Sequence, residues 1–148
     1  MKIFLGADHG GFALKEQIKV WLEQLNYTVS DLGATQLDAN DDYPQFSFAV
    51  AKAVAGDHTA LGILFCRSGA GMTIAANKIK NIRAVEVFSV DSARSAKQHN
   101  NANVISLSAD WLTFQQAQAM IQTFLNTPFN HEERHVRRIQ QISDQENK

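Results

Sequence analysis

The chain reads as one α/β domain in which a parallel five-stranded sheet is covered by helices on both faces. Short apolar or β-branched runs alternate with helical stripes along most of the chain, and its 148 residues suit a single domain with a sizeable core. No internal repeat or low-complexity tract interrupts that alternation. It implies right-handed βαβ crossovers, so functional groups should gather at the carboxyl ends of the strands.

The first strand is the apolar run at residues 2–7, followed by Asp8-His9-Gly10-Gly11. Residues 12–25 place Phe12, Ile18, Trp21, Leu22 and Leu25 on one helical stripe, with Lys15, Glu16, Lys19 and Glu23 mostly off it. In residues 27–33, alternation and β-branching replace the helical period and predict a second strand. A polar loop over 34–43 leads to Pro44, which sits in the first turn of a helix covering 46–55. The third strand is 60–65. A glycine-rich loop over 66–71 opens a helix from about Met72 that is interrupted near Asn81. Strand four covers 84–88, a short helix 92–98, strand five 104–107 and a further helix 113–125. The charged tail, 130–148, keeps Val136, Ile139 and Ile142 at helical spacing and predicts a final helix that docks against something.

Fourteen basic and fifteen acidic side chains leave a net charge of −1, too little to draw in a nucleic-acid backbone. No apolar stretch reaches the roughly 18 residues of a membrane helix. One cysteine cannot form an internal disulfide, and the amino terminus lacks a leader pattern, so a cytoplasmic location is expected. There is no histidine pair at i,i+4, no repeated cysteine and no acidic cage, so metal catalysis is not expected.

Three clusters are expected at strand ends: Asp8-His9, Cys66-Arg67-Ser68 and His99-Asn100. Gly69, Ala70 and Gly71 form a turn whose amides suit a phosphate, a carboxylate or an oxyanion, although a structural turn reads equally well. Cys66 is either a buried small hydrophobe or a thiol whose thiolate is favoured by helix-start amides and Arg67. Ser68 is an N-cap or a proton-relaying hydroxyl. His99 is a candidate acid or base, and Asp8 binds hydroxyls or shapes a turn. Arg134, His135, Arg137 and Arg138 form a basic group; Arg134 and Arg138, four apart, share a helix face suited to phosphate.

Taken together these segments resemble the ribose-5-phosphate isomerase B family, which includes the galactose-6-phosphate isomerase subunits. The resemblance runs from Lys2 to about Ile142. It lies in Gly6-Ala7-Asp8-His9-Gly10-Gly11-Phe12-Ala13-Leu14-Lys15, Asp42-Tyr43-Pro44, Gly62-Ile63-Leu64-Phe65-Cys66 with Ser68-Gly69-Ala70-Gly71-Met72, and Ile74-Ala75-Ala76-Asn77-Lys78. It continues in Ile82-Arg83-Ala84, His99-Asn100, Ala102-Asn103-Val104 and Arg134-His135-Val136-Arg137-Arg138.

The resemblance implies a three-layer Rossmann-like domain forming a homodimer, or a dimer of dimers, with shared active sites and residues 130–148 at the interface. It implies a cofactor-independent aldose–ketose isomerase acting on a phosphorylated sugar, with D-ribose 5-phosphate and D-ribulose 5-phosphate leading. Another pentose or hexose phosphate, or noncatalytic sugar-phosphate binding, stays open. By resemblance Cys66 moves the proton between C1 and C2, His99 assists ring opening, Asp8 and His9 contact the sugar, and the loop from Ser68 to Gly71 stabilises the enediolate. Arg134 and Arg138 match phosphate-binding arginines, and Tyr43 and Asn100 line the substrate. Two departures stand out: Arg67 replaces the usual glycine after the cysteine, and Ser108-Ala109-Asp110-Trp111 replaces an arginine-containing stretch. The expectation is that Arg67 supplies the positive charge lost at Asp110. Arg67 and Arg134 both facing solvent would count against it.

Overall fold

The computed structural model describes residues 1–148. Its elements, in chain order, are β1 (Lys2–Ala7), α1 (Phe12–Gln24), β2 (Thr28–Asp31), α2 (Tyr43–Gly56), β3 (Leu61–Cys66), α3 (Ala70–Ala76), β4 (Ala84–Glu86), α4 (Val90–Asn100), β5 (Val104–Ser108), α5 (Phe114–Asn126) and α6 (Glu133–Glu146). All strand pairings are parallel, in the order β2-β1-β3-β5-β4. The order reverses between β1 and β3, which makes their carboxyl ends the switch point at which sheets of this kind bind ligands, and the loops holding Asp8 and Cys66 flank it.

Alternation along the strands divides the core. Ile3, Leu5, Ile63, Phe65, Ile105 and Leu107 point to a face covered by α1, α4 and α5. Phe4, Leu64, Cys66 and Val104 point to the opposite, smaller core under α2 and α3. The expected three layers are thus present. No helix is long and apolar enough to cross a membrane.

Several boundaries differ from the sequence expectations for local reasons. Helix α2 starts at Tyr43, keeping Pro44 in the first turn where no amide is required. Helix α3 starts at Ala70, directly after Gly69, whose φ of 90° is the left-handed conformation glycine tolerates. Helix α4 is longer than expected because Ser89 and Ser92 form a reciprocal capping box, which also ends β4 early. Lys15, expected off the apolar stripe, is wholly buried. Its ammonium lies 2.6 Å from Asp31 at the end of β2. Burial alone would raise the Asp31 pKa, but the Lys15 hydrogen bond and the Gly33 amide leave it below the ordinary carboxylate value.

Candidate active site

Cys66 ends β3 and is buried, 5% exposed as a residue. The amide of Gly69 donates to Sγ at 3.1 Å, and the amides of Met72 and Ser68 also face it. The loop is pinned by its carbonyls: the Ser106 hydroxyl donates to the Gly69 carbonyl at 2.8 Å and the Ser108 hydroxyl to that of Arg67. Burial is the largest influence on the thiol and pushes its pKa up; the amides oppose this, and the Asp8 charge adds to the rise. The expectation of a thiolate favoured by Arg67 is therefore corrected, because burial outweighs the amides and the guanidinium is turned to the rim.

Asp8 is buried beside this loop and accepts from the Gly11 amide at 3.1 Å. His9 is held by Asp41: Oδ1 accepts from the His9 backbone amide at 2.9 Å and lies 2.7 Å from Nδ1. That hydrogen bond raises the His9 pKa above its ordinary value against the effect of partial burial. Donor atoms of Asp8, His9 and Asp41 lie within 4.8 Å of one another. With Nδ1 engaged by Asp41, the group is a hydrogen-bonded dyad beside Asp8 rather than an open cation cage. Tyr43 reaches the same loop, since a side-chain carbon at Gly71 would come within 2.7 Å of its ring. Ser68 accepts from the Ala70 amide at 3.3 Å, as a residue shaping the helix start does.

Arg67 crosses the rim. Its Cγ would lie 2.5 Å from a side-chain carbon at Gly10, and its guanidinium is 3.6 Å from Asp110. Its side chain is 67% exposed, and Arg134, paired with Glu132 at 2.7 Å, is 60% exposed. Both face solvent, which counts against a phosphate clamp built from them within one chain.

His99 lies elsewhere. A helix that links parallel strands runs back antiparallel to them, so its last turn reaches the amino edge of the sheet. There the Asn100 and Asn101 carbonyls accept from Arg83, just before β4. The placement of His99-Asn100 at a carboxyl strand end is thereby corrected. Gly62 pairs with Val104 and Cys66 with Ser108. Four residues of strand put about 13 Å between the two edges.

A cleft of about 450 Å³ at the amino edge is lined by His99, Asn100, Arg83, His135, Arg138 and Ile139, among others. His135 is buried, its ring centroid 4.7 Å from that of His99. Asn130 holds its Nδ1 at 2.9 Å, and burial pushes its pKa below the ordinary histidine value. Ser95 Oγ is 3.1 Å from His99 Nδ1. The Asn130 amide donates to the Gln98 carbonyl at 3.1 Å, tying the tail to α4.

Residues 3–142 match the ribose/galactose isomerase family. This chain belongs to that family. It is 41% identical to ribose-5-phosphate isomerase B of Mycolicibacterium paratuberculosis over 146 residues, 99% of this chain and 92% of that protein. Its fold matches ribose-5-phosphate isomerase B from Mycoplasma genitalium, solved with bound ribulose-5-phosphate, at a TM-score of 0.96 and 41% identity, covering 99% of this chain and 97% of the other. The Clostridium thermocellum enzyme gives a TM-score of 0.95 at 36% identity, covering 99% and 98%.

Within this ribose/galactose isomerase fold, Cys66, Ser68, Gly69, Ala70, Gly71, Asp8, His9, Tyr43 and Arg67 gather at the carboxyl edge. His99, Asn100 and Arg138 gather at the amino edge, and Arg134 stands one turn before Arg138 on the exposed face of α6. Sequence reasoning missed Asp41 and His135 as partners of functional side chains. His135 was within reach, because it shares the stripe of Ile139 and Ile142 at helical spacing. Asp41 sits in a polar loop without periodicity and gave no such signal.

Proposed function

We propose that this sugar-phosphate isomerase interconverts D-ribose 5-phosphate and D-ribulose 5-phosphate, with Cys66 as the base. The observation that supports this most is the thiol at the switch point, buried under the amides of Ser68, Gly69 and Met72 with Asp8 beside it. After ring opening, the thiolate takes the C2 proton of the aldose and returns it to C1, while the proton on O2 passes to O1. Electrons shift from the C2–H bond into an enediolate and back, so nothing is oxidised or reduced overall. Loop amides stabilise the developing oxyanion. A high thiol pKa makes the thiolate scarce at neutral pH but a stronger base towards the carbon acid.

His99 assists ring opening, and Arg134 and Arg138 hold the phosphate, but their edge of the sheet is about 13 Å from Cys66 in the same chain. A twofold partner that sets its amino edge against this carboxyl edge brings the halves together. Helix α6 suits that role, with Ile142 about half exposed in the cleft lining and Val136 about half exposed on the same helix. The reading is therefore a homodimer, or a dimer of dimers, with residues 130–148 at the interface. On the rim, Arg67 offsets the charge of Asp110, which would otherwise repel a dianion. The free thiol fits a reducing cytoplasm.

A coupled assay over pentose and hexose phosphates, run in deuterated water, tests the reaction. Turnover of ribose 5-phosphate with deuterium entering at C1 is expected. Preference for a hexose phosphate would replace the substrate assignment, and no turnover of any aldose phosphate would overturn the reading.

A further inference from the structure

We infer that Asp41 is a positioning residue for His9, holding the imidazole in one orientation with Nδ1–H committed inward and Nε2–H offered to an anionic oxygen of the substrate. The identity of that substrate rests on the isomerase reading above; the hold of Asp41 on His9 does not.

Four observations support it. Oδ1 of Asp41 contacts both the backbone amide and Nδ1 of His9, at 2.9 and 2.7 Å, so the ring is fixed relative to its own backbone. The Asp41 side chain is 5% exposed while the His9 side chain is 28% exposed, so the carboxylate lies behind the ring and part of the ring faces outward. Oδ2 of Asp41 is buried without a protein donor, so His9 is the only partner this carboxylate has. A buried carboxylate needs a charged or strongly donating partner, and an imidazolium satisfies both demands. Finally, the two residues are 32 positions apart, on loops after β1 and before α2, so the contact is tertiary rather than a local turn.

The groups facing His9 are Asp8 on its own loop, Asp41 from the loop before α2 and Arg67 from the loop after β3, with Asp110 beyond Arg67. The two carboxylates favour the imidazolium and Arg67 opposes it. With the Asp41 hydrogen bond the largest influence, His9 keeps its charge at pH values where an ordinary histidine has lost it. The Cys66 edge then presents one cation, His9, to a dianionic substrate, while Arg67 on the rim is held toward Asp110.

The test is ¹⁵N-histidine NMR of the full-length free enzyme, with His9→Gln to assign the signals. The wild-type ring should show a protonated Nδ1 and a midpoint above the ordinary histidine range. In Asp41→Asn the midpoint falls and the tautomers mix; in Asp41→Glu, which keeps the charge, the midpoint is at least partly restored. In turnover, Asp41→Asn should raise KM about fivefold at pH 8 and less at pH 6, as expected when a charge-assisted hydrogen bond becomes a neutral one. Inorganic phosphate as a competitive inhibitor separates the two sources of anionic oxygen. Weaker inhibition by phosphate places Nε2 at the phosphate, and a fall in kcat with inhibition unchanged places it at the enediolate. The substitution should add nothing in a His9→Gln background. A wild-type midpoint at or below the ordinary range, an unchanged His9 titration in folded Asp41→Asn, or an equal KM loss with and without His9 would each overturn the inference. The NMR arms need no substrate, so they separate this outcome from failure of the isomerase reading.

Discussion

The donors that meet the Cys66 sulfur are backbone amides, whereas the groups that meet the His99 ring are side chains. Around Cys66 the donors are amides of Ser68, Gly69 and Met72, and serine hydroxyls from β5 pin the loop carbonyls. Around His99 the polar groups are side chains on helices, among them Ser95, Arg138 and the tilted ring of the buried His135. Groups that must meet a developing charge within a fraction of an ångström belong on the rigid half. Groups that gather a phosphate from solvent can sit on flexible stems, provided something else fixes where the stems begin.

Five measurements would break or sharpen that contrast. Cys66→Ala should lower kcat by roughly 10²–10⁴ with little change in KM, because a general base is lost while binding is not. In the parent, kcat/KM should rise with pH into the alkaline range. Burial holds the thiol protonated above the usual range, so the active thiolate grows only as pH climbs through that raised value. A flat profile would assign proton transfer to another group.

Mixing separately inactive Cys66→Ala and His99→Asn chains in equal amounts and refolding them together tests whether the halves meet between chains. Half of the dimers are then hybrids with one intact site of two, so about a quarter of wild-type activity should return. No recovery would place both halves in one chain. Arg138→Ala should raise KM about 10- to 100-fold, the worth of a charge-assisted phosphate contact, and the loss should shrink in high salt. Smallest of all, Gly69→Ala should lower stability by about 1–2 kcal/mol, because an L-residue at φ 90° is strained. A drop of about 3–8 °C in Tm would register it.

Much of the layering was legible before the structure. β1 and the strand expected over 60–65 follow from short apolar runs, and α1 follows from period 3.6. What was not legible is where distant segments meet. His99 was placed with the strand ends because the return direction of α4 was not applied to it. The rise in the Cys66 pKa depends on how much protein covers the thiol, which neighbours in sequence do not report. Lys15 looked like surface because its partner Asp31 lies on another element, sixteen residues away. Asp41 was invisible for the same reason, being tied to a residue 32 positions earlier. The ordered family motifs are the source of the proposed chemical assignment, and the residues it names lie at two separate edges of the chain.

The division of β3 between two cores sets a rule of parity on how this protein can change. Gly62, Leu64 and Cys66 face α2 and α3, while Leu61, Ile63 and Phe65 face the larger core. Adding or deleting one residue within the strand would turn the thiol into the larger core and present an aromatic ring to the loop amides. Two residues would restore the thiol to its face. Drift in the length of β3 is thus confined to even steps, whereas the polar loop after β2 is under no such count.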